Sequence, residues 1–163
     1  MKFRIGKDLK EKIEEIAEFV MEVFEEDYYL LHPCRDFLKT DEALRVRKSD
    51  RFYLTYKGPR IDEKTKTRDE IEVEVKDLYR TLEIFKRLGF DVFAKVSKLR
   101  RIYRLGEFKI CIDDVEGLGE FIEIEVEGEL KDREKVLNLA EDLGLKDPIT
   151  KSYLELVLES KVK

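Results

Sequence analysis

From Arg68 to Lys76 every even position is charged, and Ile71, Val73 and Val75 stand among the odd ones. Side chains along a strand alternate between two faces, so this segment has one ionic and one apolar face. The alternation returns in acidic form over residues 121–127 and in basic form at Leu44-Arg45-Val46-Arg47. Around these segments the pattern predicts further strands at Met1–Ile5, Phe19–Leu31, Ala43–Lys48, Arg51–Lys57, Asp91–Leu105, Glu107–Asp113 and Glu120–Glu127. Ser49-Asp50 makes the tight turn of a hairpin, and Gly58-Pro59 ends it. A polar loop spans Arg60–Thr67. Helical spacing takes over at Leu9, Ile13 and Ile16, with Asp8 as the predicted cap of a helix running to about Ala17. A second helix runs from the cap Asp77 to about Leu88, where Gly89 stops it. Two more are predicted near Asp132–Leu143 and Pro148–Glu159, proline being suited to the first helical position.

These elements fall into two halves, each running strand, helix, long strand, hairpin. Asp8-Leu9 and Asp77-Leu78 open equivalent helices, and Phe52 and Phe121 open equivalent strands, at a shared offset of 69 residues. Such a pseudo-twofold repeat predicts an α+β fold: one closed, eight-stranded antiparallel β-barrel, a tunnel flanked by helices, with residues 1–163 as a single domain. Closure removes the sheet edges. The helices need an apolar face to cover. If they cover the outside, the ionic faces line the lumen. Buried charge costs several kcal/mol per ion, so a charged lumen must be wet, self-neutralising or built to hold ions. The other reading, in which the ionic faces simply meet solvent, stays open on the pattern alone.

Composition narrows the chemistry. At 163 residues with 42% hydrophobic content the chain can bury a core, while its 44% charged content is far above the usual quarter. Gln is absent and Asn138 is the only Asn, a balance like that of a hyperthermophile's protein. The net charge of -5 with interspersed signs argues against DNA or RNA as partner. No apolar run is long enough to span a bilayer and none reads as a secretory leader, so a cytoplasmic protein with no membrane partner is expected. Cys34 and Cys111 lack metal-ligand spacing, and His32 is the only histidine. A histidine-based triad or zinc site is not expected on that inventory.

Five segments in order carry a resemblance: His32-Pro33-Cys34-Arg35-Asp36-Phe37, Thr40-Asp41-Glu42-Ala43-Leu44-Arg45-Val46-Arg47, Leu54-Thr55-Tyr56-Lys57-Gly58-Pro59, Lys98-Leu99-Arg100, and Asp113 through Glu125. Together they resemble the CYTH superfamily of triphosphate tunnel metalloenzymes, and within it the class IV adenylyl cyclases. The resemblance implies an eight-stranded antiparallel tunnel that binds triphosphates with a divalent metal. It implies substrate binding by Lys2, Arg45, Arg47, Lys57, Lys98 and Arg100, with guanidinium forks suited to phosphate oxygens. It implies Mg²⁺ or Mn²⁺ on Glu123 and Glu125, with Glu72 and Glu74 as further candidates, hard oxygen donors being the usual magnesium set. Lys2 and Asp113 are the catalytic candidates.

The superfamily motif E-x-E-x-K is matched literally by Glu72-Val73-Glu74-Val75-Lys76, but in the family it precedes the first helix. The counterpart by chain order is Met1–Ile5, with Lys2 as the motif lysine. Its two glutamates would lie upstream, and a late recorded start is expected. The resemblance implies conversion of ATP to cyclic AMP and pyrophosphate. Hydrolysis of tripolyphosphate or thiamine triphosphate, and a non-catalytic triphosphate-binding module, remain as alternatives. The partner is a nucleotide or inorganic triphosphate, and a homodimer is compatible with the sequence.

Overall fold

A computed structural model describes residues 1–60, 68–126 and 132–161. Among them the strands are β1 (Lys2–Arg4), β2 (Glu18–Leu31), β3 (Ala43–Lys48), β4 (Phe52–Lys57), β5 (Glu70–Val75), β6 (Asp91–Leu105), β7 (Phe108–Val115) and β8 (Gly119–Val126). The helices are α1 (Lys7–Ile16), α2 (Leu78–Arg87), α3 (Asp132–Asp142) and α4 (Tyr153–Ser160). The expected loop over residues 61–67 and the strand position Glu127 lie outside the described residues. The strands form one eight-stranded antiparallel sheet in the order β1-β8-β7-β6-β2-β3-β4-β5. That order has ends at β1 and β5, and the closure expected from the sequence is not among its pairings.

The chain gathers into two compact units, Met1–Phe24 with Lys98–Lys163, and Glu25–Ser97. In the first, β1 pairs β8, β8 pairs β7, and β7 pairs residues 98–105 of β6. Residues directly opposite in an antiparallel pair share a face. One face therefore carries Phe3, Ile110, Ile112, Ile122 and Ile124, all buried. Ile13 of α1 and Val136, Ala140 and Leu143 from the α3 region cover it. Each fully buried isoleucine contributes about 1.5–3 kcal/mol over leaving it exposed. The opposite face carries Lys2, Arg4, Glu123, Cys111, Asp113 and Arg100.

The second unit repeats this division. Leu30, Val46, Leu44 and Leu54 pack against Leu78, Leu82 and Phe85 of α2. The opposite face of the same strands carries Asp27, Arg45, Arg47, Thr55 and Glu72. β5 departs from the pattern's expectation. It ends the sheet order, and its apolar side chains Ile71 and Val73 stay 63% and 49% exposed.

Two helix starts differ from the sequence reading. Gly6 rather than Asp8 stands at the N-cap of α1, and Asp8 lies in the first turn, where a carboxylate suits the helix dipole. α4 begins at Tyr153 rather than Pro148. Ile149 gives its N–H to the Lys2 carbonyl at 2.7 Å and Asp147 adopts φ 58°, so the segment after the proline is not helical. Ser152 is the N-cap instead, and its capping box with Glu155 satisfies the Ser152 and Glu155 N–H groups. Among the described residues, no helix is long and apolar enough to cross a membrane.

Candidate functional site

Each unit gathers one ionic cluster on the sheet face opposite its apolar one. In the first unit, Lys2 of β1, Lys98 and Arg100 of β6, and Asp113 of β7 are all buried. Strand register puts Arg100 opposite Asp113 and Lys2 opposite Glu123. Arg100 donates from Nε and Nη2 to the two Asp113 oxygens at 2.6 Å each, and from Nη2 to Glu123 Oε2 at 2.7 Å. Lys2 Nζ lies 3.5 Å from Glu123 Oε1, and Lys98 Nζ lies 3.9 Å from Asp113 Oδ2. Among the described residues, three cations thus share two carboxylates. Burial pushes the Glu123 carboxyl up, but Arg100, Lys2 and Lys98 outweigh it and bring it down to about 2.

Tyr153 of α4 completes this cluster. Its hydroxyl donates to Asp113 Oδ2 at 2.7 Å. Lys2 Nζ sits 3.8 Å and Lys98 Nζ 5.0 Å from its ring centroid, within cation–π range. Burial, Glu123 and Asp113 all push the Tyr153 phenol up, so it stays a donor. Both Asp113 oxygens are engaged, which makes this residue the anchor of Arg100. Cys111, opposite Glu123, is held as a thiol, its burial raising it to about 11 against the opposing Arg100 and Lys109. Glu125 lies two residues along from Glu123 and pairs instead with Lys109 at 3.3 Å, where both side chains are half exposed.

In the second unit, β3 projects Arg45 and Arg47 between β2 and β4. Arg47 grips Asp27 with Nε to Oδ1 at 2.6 Å and Nη2 to Oδ2 at 2.7 Å, and reaches Glu25 at 3.3 Å. Arg45 makes a longer bond to Asp27, 3.3 Å, and its buried Nε has no hydrogen-bond partner among the described residues. Lys57 pairs with Glu70 at 2.8 Å. Burial and the adjacent Arg45 and Arg47 guanidiniums push the Lys57 ammonium down against that pull. Glu72 accepts the Thr55 hydroxyl at 2.7 Å, and Glu74 pairs with the exposed Arg51 at 2.8 Å.

The structure therefore brings together Lys2, Lys98, Arg100, Asp113 and Glu123 in one unit, and Arg45, Arg47, Lys57 and Glu72 in the other. Glu74 and Glu125 are engaged at more exposed positions beside them. Among the described residues no three His, Cys, Asp or Glu side chains gather as a metal cage. Sequence reasoning missed Glu25, Asp27 and Tyr153. Asp27 has a local cue, being an odd position in the strand that carries Tyr29. Tyr153 has none, since it meets Asp113 from 40 residues away.

Residues 1–153 match the CYTH domain family model. A Methanocaldococcus jannaschii protein that bears the name putative adenylate cyclase is 44% identical over 147 residues, spanning 85% of this chain and 84% of that protein. An Aeromonas hydrophila protein named adenylate cyclase CyaB is 33% identical over 95 residues, 54% of this chain and 50% of that protein. Among solved structures, the PH1819 protein of Pyrococcus horikoshii superposes with a TM-score of 0.87 at 46% identity, spanning 97% of this chain and 96% of that one.

Proposed function

The chain belongs to the CYTH domain family, and from that premise we propose that it is a metal-dependent triphosphate-processing enzyme that converts ATP to cyclic AMP and pyrophosphate. The observation that carries this reading is the set of cations on the ionic faces of the sheet. Lys2, Arg45, Lys98 and Arg100 are buried, and Arg45 keeps a buried Nε donor unused. A buried, unsatisfied guanidinium N–H costs roughly 1–3 kcal/mol, which a phosphate oxygen would return. The adenylate cyclase names of two relatives support the cyclase over other triphosphate chemistry.

In this reading Arg45, Arg47 and Lys57, and Lys2, Lys98 and Arg100, take up phosphate oxygens and neutralise the leaving pyrophosphate. Asp113, with the Tyr153 hydroxyl on it, fixes the Arg100 fork so that no reorganisation is needed as charge develops. The ribose 3′-oxygen forms a bond to the α-phosphorus as the bond to the pyrophosphate oxygen breaks, and the hydroxyl proton leaves to solvent. Positioning and charge neutralisation supply the rate, which suits a site without histidine. Glu123 and Glu125 lie two apart on one strand face, and two carboxylates with phosphate oxygens and water are a usual magnesium arrangement. In this reading they would hold Mg²⁺ or Mn²⁺, with Glu72 and Glu74 as a second pair. When bound, the ion supplies polarisation of the phosphoryl oxygens.

The same cations serve a second reading, hydrolysis of tripolyphosphate or thiamine triphosphate, because guanidinium and ammonium groups read phosphate rather than base. The experiment is a product assay with Mg²⁺ or Mn²⁺, on ATP and on tripolyphosphate in parallel. Cyclic AMP with pyrophosphate is the expected outcome. Orthophosphate from tripolyphosphate without cyclic AMP moves the assignment to a triphosphatase. Binding without turnover of either compound reduces it to a binding module.

A further inference from the structure

Along β4 the side chains that share a face with Arg45 and Arg47 are Tyr53, Thr55 and Lys57. The register sets Lys57 opposite Ala43, Thr55 opposite Arg45 and Tyr53 opposite Arg47. The three cations of this face therefore form a row, Lys57, then Arg45, then Arg47, in steps of about 7 Å along the strands. Tyr53 stands beside the last of them, about 13 Å along β4 from Lys57. Such a row suits an extended chain of phosphates, and whatever follows the phosphate at Arg47 meets a phenol ring.

That ring is placed unlike its neighbours. Tyr29, the other aromatic side chain on the ionic face of β2–β5, stands opposite Arg45 and is only 7% exposed. Tyr53 is half-buried, and among the described residues it takes no ring-on-ring or cation–π contact. Its hydroxyl lies 3.5 Å from Asp50 Oδ1 at the β3–β4 turn. Burial, Asp50 and Glu74 push the phenol up against Arg51, so the ring stays neutral. Arg51 itself is exposed and bound to Glu74 at 2.8 Å, so this end is a poor place for a further phosphate. The other end of the row offers no ring. There Gly58 and Pro59 follow Lys57, and Gly58 gives its N–H to the Asp69 carbonyl at 2.8 Å.

We propose that the Tyr53 ring is the platform on which the base of a nucleoside triphosphate stacks, its phosphates running along Arg47, Arg45 and Lys57. This deepens the triphosphate reading of those cations and rests on it. A heteroaromatic base laid on a phenol gains a stacking contact that a bare phosphate chain cannot use. Every base has a π face, so the platform reads the presence of a nucleoside rather than which base it carries. It separates nucleotide from inorganic tripolyphosphate, a distinction that guanidinium and ammonium groups do not make.

Equilibrium binding of non-hydrolysable ATP and of non-hydrolysable tripolyphosphate, measured side by side on the whole chain, tests the platform. Tyr53→Ala is expected to weaken ATP about ten- to a hundredfold, the range for losing one stacked base, and to leave tripolyphosphate within about twofold. Tyr53→Phe keeps the ring and is expected to hold ATP within about twofold of wild type. The chain has no tryptophan, so Tyr53→Trp supplies a single indole emitter at the platform. Its emission is expected to be quenched by ATP and not by tripolyphosphate, a readout that requires no loss of binding. If Tyr53→Ala leaves the ratio of the two affinities as in wild type, the platform is overturned and the triphosphate reading stands. Bound ATP that leaves the Tyr53→Trp emission unquenched overturns it equally. A wild-type chain that binds neither compound overturns the triphosphate reading, and the platform with it.

Discussion

Glu42 shows how single side chains hold this fold together around the ionic faces. Its buried carboxylate accepts the Thr40 and Tyr56 hydroxyls at 2.5 Å each and pairs with Arg35 at 2.8 Å, tying the 32–42 loop to β4. The hydrogen bonds from Thr40 and Tyr56 hold the carboxyl below its ordinary 4.5, with Arg35 helping and burial opposing. A depressed folded-state pKa means that the unfolded chain binds the proton more readily. Glu42's contribution to stability is therefore full above the ordinary carboxylate range and is lost as pH falls below it. Glu42→Gln cannot titrate. It is expected to lower stability at pH 7 by about 1–3 kcal/mol, and to show a shallower loss than wild type as pH falls below 4.5. Urea unfolding at a series of pH values reads both, and equal acid slopes would remove Glu42 from the account. Tyr153→Phe makes a sharper cut at the ionic cluster. It keeps the ring over Lys2 and removes only the hydroxyl on Asp113, whose bidentate bond to Arg100 remains. A loss of about 1.5–3 kcal/mol in stability is expected, the range for a hydrogen bond to a charged group. Triphosphate affinity should fall far less than with Arg100→Ala.

At the scale of elements, the parts governed by local rules could be read from the sequence. Ala43–Lys48 is a strand whose centre, Leu44-Arg45-Val46-Arg47, alternates apolar and basic, and α2 lies between the signals Asp77 and Gly89. The Asp77 carboxylate accepts the Arg80 N–H at 2.9 Å, as an N-cap should. Asp77→Ala is expected to cost about 1 kcal/mol by chemical denaturation, with product formation unchanged, since α2 covers the apolar face and not the ionic one. A change in turnover without a change in stability would place α2 in the site. Where two local signals competed, the sequence reading failed. Pro148 invites a helix start, but the Ile149 N–H is taken by the Lys2 carbonyl and Ser152 with Glu155 offers a complete cap. The paired cations Arg45/Arg47 and Lys98/Arg100 were readable from their two-residue spacing. Their pairing with Asp27 and Asp113 was not, because it is set by strand register, which no local spacing encodes.

At the scale of the whole molecule, net charge concealed the chemistry. Acidic residues outnumber basic ones, 38 to 33, yet the buried cations gather on the ionic faces of the two units. The alternating stretch at residues 68–76 pointed to those faces through β5, whose Glu70 and Glu72 stand opposite Lys57 and Thr55. Its own exposure leaves the buried charge to β1, β2, β3, β6 and β7. Because the cations divide between two compact units, their common use is a matter for stoichiometry. If one triphosphate draws on both sets, titration calorimetry with non-hydrolysable ATP should show one binding event per chain. Arg45→Ala and Lys98→Ala should each weaken that same event by about ten- to a hundredfold, a loss of roughly 1.4–2.8 kcal/mol. The affinity should also fall with added salt, since the free triphosphate's charge is screened in solution. Two separable events, each abolished by one substitution, would give the two units different ligands, and the cyclase reading would then fail for want of a shared triphosphate.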